Sequence, residues 1–585
     1  MRVTSLPVVA ILLALAMPAA ALADDPDSHH PNLPPDLQRF GNWALYTSRV
    51  PQPRPAARRI PAALRAKRRA GRRPGSPPAW LTFHGNLGRT AWNPSETVLN
   101  TSNVNPRQFG MLYSVPVDGE VYAEPLFIPQ VNVAGKGTHD VLLVATEGDS
   151  VYAFDAESGA ALWKTTYVNP PAVTTFNPGP CKCSNIAFQQ GITGTPAVDP
   201  ATLIAYFVTK TTEVVNNVST VHYRLHGLNV TNGSDVAPPT DIQASVRASD
   251  GTKVSLNATF SIQRPGIALA NGMVYVTFGS GADKHPSTTS GWVIAFNESN
   301  LAQLSAFSDE TGHTQIQKLW YGPTGPTRLA GIWMSGSAPV VDSSGNVYVQ
   351  TGNGAYDGVL DWGISVLKLS PTLSKVVDYF TPVGWSNLSN NDEDLSSAGV
   401  MALPQPVGGK NVLLAGGKAG ATYLLDEAAM GEYNGKTNRD LFNIVTNGGL
   451  WGTIASYVGP DGNTYVIVPG GGPMTQWEVT SNASLQFISQ SNENFSVGDD
   501  AGSEPVISSN GTAPGSAIVW SYSRVGTGGP ATLNLRAFDA TNLSNELIEL
   551  PFTNWQGGGE LLTPTVANGM VFTAGEGNVS AYGLL

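Results

Sequence analysis

Cysteine, charge and long apolar stretches are all scarce in this sequence of 585 residues. The two cysteines, Cys181 and Cys183, rule out a disulfide-rich scaffold, a Cys/His zinc module and a Cys-x-x-Cys-His haem attachment. Charged residues make up only 13% of the chain, which disfavours an architecture of many surface helices. Beyond the N-terminus no apolar run approaches the roughly 18 residues of a membrane-spanning helix, so we expect no transmembrane segment.

Positive charge is concentrated in one short segment. Arg49–Arg73 carries ten basic residues and no acidic one, so the rest of the chain has a net charge of about −21, against −11 for the whole. A strongly negative surface argues against nucleic acid as a partner of the folded part. For the basic segment we favour a solvated linker, with contact to anionic lipid or a polyanion as the open alternative.

The N-terminal region has the pattern of an export signal. Arg2 precedes the apolar run Leu6–Met17, and Ala21-Leu22-Ala23 offers a small-residue cleavage site, so residues 1–23 are predicted to be a signal peptide. Residues 24–79 are rich in Pro, Arg and Ala without strand periodicity, which predicts a disordered leader. The folded part is expected to cover residues 80–585 as an exported monomer, periplasmic or extracellular.

The composition is rich in turn formers, with 63 glycines and 43 prolines. Eight strand-only units follow one another at a spacing of roughly 50–73 residues, which predicts an all-β, eight-bladed propeller of four-stranded antiparallel blades. Met111–Val117 belongs to no unit, and the last unit lacks a fourth strand, so this N-terminal strand is predicted to complete blade 8. The units begin at Ala123-Glu124-Pro125, Gly194-Thr195-Pro196, Arg264-Pro265, Ser337-Ala338-Pro339, Met401–Pro404, Trp451–Ile454, Ser503-Glu504-Pro505 and Leu562-Thr563-Pro564.

Two segments resemble a known family. Val151–Trp163 (VYAFDAESGAALW) resembles the tryptophan-docking repeat of pyrroloquinoline quinone (PQQ) propellers, and Trp80–Pro94 resembles the entry of PQQ-dependent dehydrogenases. The chain is similar to exported bacterial PQQ-repeat proteins within the quinoprotein alcohol dehydrogenase-like superfamily. The resemblance implies the same propeller fold, and Trp163 itself is expected to be structural.

Four turns resemble, in the same order, active-site motifs of PQQ-dependent alcohol dehydrogenases. They are Phe278–Asp283 followed by Gly291-Trp292-Val293, Gly331–Gly336, Thr351–Gly354 with the loop that follows it, and Gly416–Gly420. The resemblance implies that Asp283 and Asn353 bind Ca²⁺, and that Asp361 is the general base. Carboxylate and amide oxygens are hard ligands of the kind that Ca²⁺ prefers.

The same resemblance implies a set of residues that bind PQQ. Trp333 stacks on the quinone ring, Lys418 holds the quinone oxygens, and Glu124 occupies the position of a cofactor-binding glutamate. Cys181 and Cys183 lie where the family has two adjacent cysteines whose disulfide covers one face of the quinone. A flat indole and a fixed cation suit an aromatic, anionic cofactor.

The sequence also departs from the family pattern. The cysteines are separated by a lysine, an aspartate stands at position 283 in place of glutamate, and Asp361 lies in Leu-Asp-Trp instead of Gly-Asp-Asn. Asp392 and Asp394 offer a second carboxylate cluster.

Three functions therefore remain open. The first is a quinoprotein-type dehydrogenase, or a degenerate relative, that oxidises an alcohol or sugar with PQQ and Ca²⁺. The second is a non-catalytic scaffold that binds an envelope protein or a ligand, similar to the BamB-type outer-membrane assembly protein. The third, a carbohydrate-binding protein, depends on exposed aromatic residues such as Trp362 and Trp385.

Overall fold

The computed structural model describes the chain from residue 78 to residue 585, with several gaps. The predicted signal peptide, the predicted leader up to residue 77, and both Cys181 and Cys183 lie outside the described residues. The described residues are 78–180, 186, 189–281, 283, 285, 288–312, 315–317, 325–446, 448–495, 503–525, 531–555 and 562–585.

Eight antiparallel sheets, one for each predicted unit, form the blades, which confirms the predicted propeller. In blades 1 to 7 the main strands follow one another from the central axis outward in chain order. Blade 1 consists of Leu126–Val133, Gly137–Thr146, Ser150–Asp155 and Ala161–Thr166. Blade 2 consists of Ala197–Asp199, Ile204–Val215, Val218–Asn229, and the short Ser234–Asp235 and Thr240–Asp241, with Val173–Thr175 added beside its second strand. Blade 3 consists of Ala268–Ala270, Met273–Ser280, Trp292–Asn297 and Gln303–Ser308, with Ser261–Ile262 added beside its second strand.

The remaining blades follow the same order from the axis outward. Blade 4 consists of Val340–Val341, Val347–Gln350, Val366–Leu369 and Val376–Phe380. Blade 5 consists of Met401–Ala402, Val412–Gly416, Ala421–Asp426 and Phe442–Val445, and blade 6 of Ala455–Val458, Thr464–Val468, Pro473–Val479 and Leu485–Asn494. Blade 7 consists of Val506–Ser508, Ile518–Val525, Ala531–Asp539 and Glu546–Trp555.

Blade 8 joins the two ends of the folded chain. Its first three strands are Thr565–Ala567, Met570–Ala574 and Glu576–Leu584, and its outer strand is Phe109–Glu120. Met111 pairs with Tyr582 and Val115 with Val579 in this antiparallel ladder. Phe109–Glu120, which contains the segment Met111–Val117 that belongs to no sequence unit, therefore forms the outer edge of blade 8.

Helices and accessory strands are few in the described part of the chain. They are the α-helix Trp385–Asn390, the 3₁₀ turns Phe83–Gly85 and Met334–Gly336, the strand Trp92–Asn93, and the hairpins Ser245–Arg247 with Lys253–Ser255 and Gln315–Gln317 with Gly325–Thr327. No helix in this part is long and apolar enough to cross a membrane.

Val151–Trp163 shows how neighbouring blades dock. The turn is fixed by Asp155, whose Oδ1 accepts a hydrogen bond from Ser158 N at 2.8 Å. Trp163 then donates its indole N–H to the carbonyl of Val230 in blade 2, at 2.9 Å. Gly233 has a φ of +72°, and a Cβ built on it would lie 2.6 Å from the Trp163 ring. The tryptophan therefore packs on a glycine turn of the next blade.

The segment Trp80–Glu96, which we call the N-terminal belt, contacts the inner strand of every blade. It does so in chain order, mainly through backbone hydrogen bonds, and so lines the central channel. Its partners are Phe127, Val198, Ile267, Val341, Ala402, Ser456, Ile507 and Val566 in blades 1 to 8.

Arg89 holds the belt in shape from within. Its side chain is fully buried, and it donates to the carbonyl oxygens of Pro339, Phe83 and Asn86 at 2.8–3.1 Å. Burial lowers the pKa of Arg89 to about 9, and Glu124 opposes this shift. The guanidinium donates the hydrogen bonds that these backbone carbonyl groups would otherwise have to accept from water molecules.

Candidate functional site

Polar turns of blades 3, 4 and 5 converge at one end of the channel. Asp283, Asn353 and Lys418 each follow the second strand of their blade. Because second strands run in the same direction in every blade, the turns that follow them lie at the same end of the ring. Asp392 and Asp394, in the connection from blade 4 to blade 5, complete the cluster.

Lys418 is the cation at the centre of this cluster. Its Nζ lies 2.8 Å from Asp392 Oδ2 and 3.0 Å from Asp394 Oδ2, and all three side chains are buried or nearly so. Burial alone would lower the pKa of Lys418, but the two carboxylates override it and hold that pKa well above its ordinary value. Burial raises the pKa of Asp394 to about 6, although Lys418 opposes the shift. Asp394 Oδ1 is buried and has no hydrogen-bond partner among the described residues.

Asn353 links the predicted metal ligand Asp283 to Asp392. Its Nδ2 donates to Asp392 Oδ1 and lies 3.4 Å from Asp283 Oδ2. Asn353 Oδ1 is buried and has no partner in the described part of the protein. Asp283 also accepts a hydrogen bond from Ser280, and burial followed by repulsion from Asp392 raises its pKa to about 7.

Trp333 forms a wall of the same site. Its backbone N–H donates to Ser396 Oγ at 3.0 Å, which ties it to the loop that carries Asp394. Its ring lies 6.3 Å from that of Trp451, and the two indoles form a buried pair separate from the packing cores of the blades. The Nζ of Lys418 lies 5.7 Å from the Trp333 ring, and Cζ of Arg264 lies 4.9 Å from it.

Glu124 faces the N-terminal belt. Its two carboxylate oxygens accept hydrogen bonds from Trp80 Nε1 at 2.7 Å and from the backbone N–H of His84 at 2.8 Å. Burial raises the pKa of Glu124 to about 8, and these hydrogen bonds oppose the shift. The contacts of this side chain thus fix the belt; they do not join it to the Lys418 cluster.

Asp361 lies in a different group of acids, between blades 3 and 4. Its Oδ1 accepts a hydrogen bond from the backbone N–H of Gly312 at 2.7 Å, and its backbone pairs with Glu310. Burial, followed by repulsion from Asp361, raises the pKa of Glu310 well above its usual value. Of the predicted site residues, the structure therefore brings together Asp283, Asn353, Trp333 and Lys418, whereas Asp361 and Glu124 make their contacts elsewhere.

Three residues of the channel were not singled out from the sequence: Arg264, Trp451 and Glu504. Glu504 lies 3.3 Å from His84 Nε2, and Arg264 is its nearby cation. Arg264 and Glu504, like Glu124, directly precede the proline that opens a blade. That shared position is the signal that could have identified them, because it places the side chain at the channel end of an inner strand.

The donor chemistry around Asn353 suits a hard cation. Asp283 and Asp392 supply carboxylates on either side of an amide whose oxygen has no partner. No three Asp, Glu, His or Cys residues of the described chain are arranged as a ready coordination group. The negative charges of Asp392 and Asp394 are instead balanced by the ammonium group of Lys418. The residue types thus suit a divalent cation, while it is the amide Nδ2 of Asn353, and not its Oδ1, that contacts the two carboxylates.

The aromatic residues considered for carbohydrate binding form a cluster around Tyr356. Trp362 is buried, which corrects the expectation that it is exposed; its ring packs 4.9 Å from that of Tyr379. Trp385 is partly exposed and lies 5.5 Å from Tyr356. These contacts are explained by packing of the blade 4 loop.

Comparison with known proteins identifies the fold. No protein-family model and no curated protein matches the chain. The quinohemoprotein alcohol dehydrogenase of Comamonas testosteroni is similar in structure, with a TM-score of 0.55 and 13% identity over 88% of this chain and 82% of that one. A europium-containing methanol dehydrogenase is similar with a TM-score of 0.51 and 12% identity, and the match covers 86% of this chain and 98% of that one. A quinohemoprotein alcohol dehydrogenase of Pseudomonas putida HK5 is similar with a TM-score of 0.50 and 15% identity, and the match covers 90% of this chain and 82% of that one.

At these identities the similarity concerns architecture. The protein has the eight-bladed propeller fold of the quinoprotein alcohol dehydrogenases, as the resemblance implied.

Proposed function

We propose that the protein is an exported quinoprotein-type dehydrogenase that oxidises an alcohol or sugar with PQQ and Ca²⁺. The observation that supports this most is the convergence of Trp333, Lys418, Asn353 and Asp283 at one end of the channel, in a propeller of the quinoprotein type. Export is supported by the signal-like pattern of residues 1–23.

The residues have distinct roles in this proposal. Trp333 stacks on the quinone, and Lys418 and Arg264 balance its negative charge. Asp283, Asp392 and the amide oxygen of Asn353 hold the cation. When bound, PQQ would supply a two-electron acceptor, and Ca²⁺ would supply Lewis-acid chemistry toward it.

We assign the general base to Asp394 in preference to Asp361. Asp394 Oδ1 has no partner among the described residues, so it can accept the hydroxyl proton of a substrate. Its pKa of about 6 lies close to the pH at which a base of this kind is most effective. Lys418, bonded to Oδ2, orients the carboxylate.

The proposal is tested by titrating the purified mature protein with PQQ, with and without Ca²⁺. We expect saturable quinone absorbance that depends on Ca²⁺, and reduction of an artificial electron acceptor with some alcohols or sugars. Trp333→Ala should weaken quinone binding, while Trp477→Ala, which changes a partly buried indole in blade 6, serves as the control. Absence of both binding and dye reduction would refute the proposal and favour the scaffold function.

A further inference from the structure

We infer that Gln350 is a positioning residue, which fixes the distance between Lys418 and Asp394. Its side chain lies at the end of the second strand of blade 4 and is fully buried. Its bearing on catalysis rests on the proposed function, whereas the contact that it controls can be measured in the protein alone.

The amide of Gln350 joins two loops that carry charged groups of the site. Its Nε2 donates to the carbonyl oxygens of Leu395 at 2.8 Å, Ala398 at 2.7 Å and Gly416 at 3.2 Å. The first two belong to the connection between blades 4 and 5, and the third ends the second strand of blade 5. Because a carbonyl oxygen can only accept, the amide nitrogen has to face all three, which fixes the orientation of the side chain.

Two of these carbonyl groups lie next to the ion pair in the chain. Leu395 directly follows Asp394, and Gly416 stands two positions before Lys418. The backbone N–H of Lys418 donates to the carbonyl of Asp394 at 3.0 Å, and the Lys418 ammonium lies 3.0 Å from Asp394 Oδ2. The amide therefore ties the two backbones together beside the point where the two side chains meet.

The connection that carries Asp394 has little regular structure of its own. The structure describes every residue between Asn390 and Met401, and none of them is in a helix or a strand. The backbone N–H of Ala398 donates to the carbonyl of Leu395 at 3.0 Å, which closes a turn over the amide of Gln350. The position of Asp394 thus depends on hydrogen bonds that neighbouring elements supply.

The backbone of Gln350 extends the same network to Trp333. Its carbonyl oxygen accepts a hydrogen bond from Ser396 Oγ at 3.3 Å. The same Oγ accepts hydrogen bonds from the backbone N–H groups of Trp333 and Met334, at 3.0 and 3.1 Å. The network therefore reaches the aromatic wall of the site as well as its ion pair.

Packing alone does not explain a glutamine at this position. Gln350 Oε1 is buried and has no hydrogen-bond partner among the described residues, which is unfavourable. The comparably buried Gln476 of blade 6 uses both ends of its amide, since Nε2 donates to the carbonyl of Ala540 and Oε1 accepts from Ser489 Oγ. The role of the Gln350 side chain therefore lies in its N–H donors.

The test is a double-mutant cycle between Lys418→Met and Asp394→Asn, measured by urea unfolding in three backgrounds. The backgrounds are the natural protein, Gln350→Met and Gln476→Met, and the last makes the same change at a comparably buried glutamine. We expect the coupling between Lys418 and Asp394 to fall to less than half in Gln350→Met, because the two loops lose their common donor. In Gln476→Met the coupling should be unchanged.

A second measurement uses the folded protein without denaturant. Acetic anhydride is added at one fixed pH, and mass spectrometry compares the acetylation of Lys418 with that of the more exposed Lys410 in the same sample. We expect the ratio to rise at least tenfold in Gln350→Met and to stay within twofold in Gln476→Met. If Gln350→Met does not fold, Gln350→Asn takes its place with the same expected results, because its amide is shorter by one methylene group.

The outcomes separate this inference from the proposed function. An unchanged coupling or an unchanged acetylation ratio in the folded Gln350 variant would overturn the positioning role, and so would an equal change in Gln476→Met. Neither measurement uses a quinone, Ca²⁺ or a substrate. The positioning role can therefore fail while dye reduction is observed, and it can hold while the protein reduces no dye.

Discussion

Arg89 of the N-terminal belt donates two hydrogen bonds, from Nε and Nη2, to the carbonyl oxygen of Pro339 in blade 4, at 3.0 and 2.8 Å. The two residues are 250 positions apart in the chain. The bond pair therefore joins the beginning of the described chain to its fourth blade.

Replacement of Arg89 should destabilise the whole propeller. Arg89→Ala removes the guanidinium donor of the buried carbonyl groups of Pro339 and Phe83, and we expect the free energy of unfolding to fall by about 3 kcal/mol or more. Arg107→Ala, at an exposed position, is the control. Thermal unfolding checks the result; equal midpoints for the two variants would show that the guanidinium contributes nothing to the ring.

Gly233 should be intolerant of a side chain for two reasons that can be separated. In Gly233→Ala the methyl group meets the Trp163 ring and the residue must keep a φ of +72°, so a loss of about 2–4 kcal/mol is expected. Gly251→Ala has a similar φ of +83° with no atom within 4 Å of the new Cβ, and should lose only about 1–2 kcal/mol. Denaturant unfolding measures both; an equal loss would contradict the docking role of Trp163.

The stability of the protein should fall as the pH rises, in part because of Glu147. Burial raises the pKa of this fully buried carboxyl from 4.5 to about 8, against the hydrogen bond from Gly191 N. Since the folded-state pKa is raised, the contribution of Glu147 is complete below pH 4.5 and is lost progressively up to about pH 8.

Glu147→Gln tests this pH dependence. Glutamine can still accept the hydrogen bond of Gly191 N while it carries no charge, so the variant should match the natural protein at pH 5 and melt at a higher temperature at pH 8. The measurement is the thermal midpoint at several pH values in that interval. A constant difference across the series would mean that the pKa of Glu147 is not raised in the folded state.

The two candidate bases make opposite predictions. With Asp394 as the base, Asp394→Asn should lower dye reduction by about 10²- to 10⁴-fold while the quinone still binds, and Asp361→Asn should leave the rate nearly unchanged. Because burial raises the pKa of Asp394, the rate of the natural protein should rise with pH as Asp394 loses its proton. Loss of activity in Asp361→Asn alone would restore the assignment made from the sequence motif.

The ring was predictable from the sequence because its units repeat. Each blade needs a buried inner strand, two central strands and turns between them, so proline entries and apolar runs recur at intervals. Met111–Val117 was recognised as an unpaired strand for the same reason. Asp283, Asn353, Trp333 and Lys418 could be proposed because their motifs occur in the expected order.

Other features leave no periodic pattern. The belt binds the inner strands of the eight blades mainly through backbone groups, which any sequence can supply, so Trp80–Glu96 gives no indication of its path. Asp361 matched a motif in spacing, but its loop turns back toward Gly312 of blade 3. Trp451 lies in an entry without proline, where only the three-dimensional arrangement reveals its pairing with Trp333.

The path of the belt also bears on the order of assembly. Residues of the belt are synthesised before every blade, yet Asn93 bonds to Val566, which is 473 residues further along the chain. A chain that ends anywhere before blade 8 therefore lacks part of the surface that the belt needs. Trp80–Glu96 can form its full set of contacts in the channel only when all eight blades are present. Binding of this segment therefore marks a complete ring. A prematurely terminated protein would leave this segment exposed to proteases and chaperones.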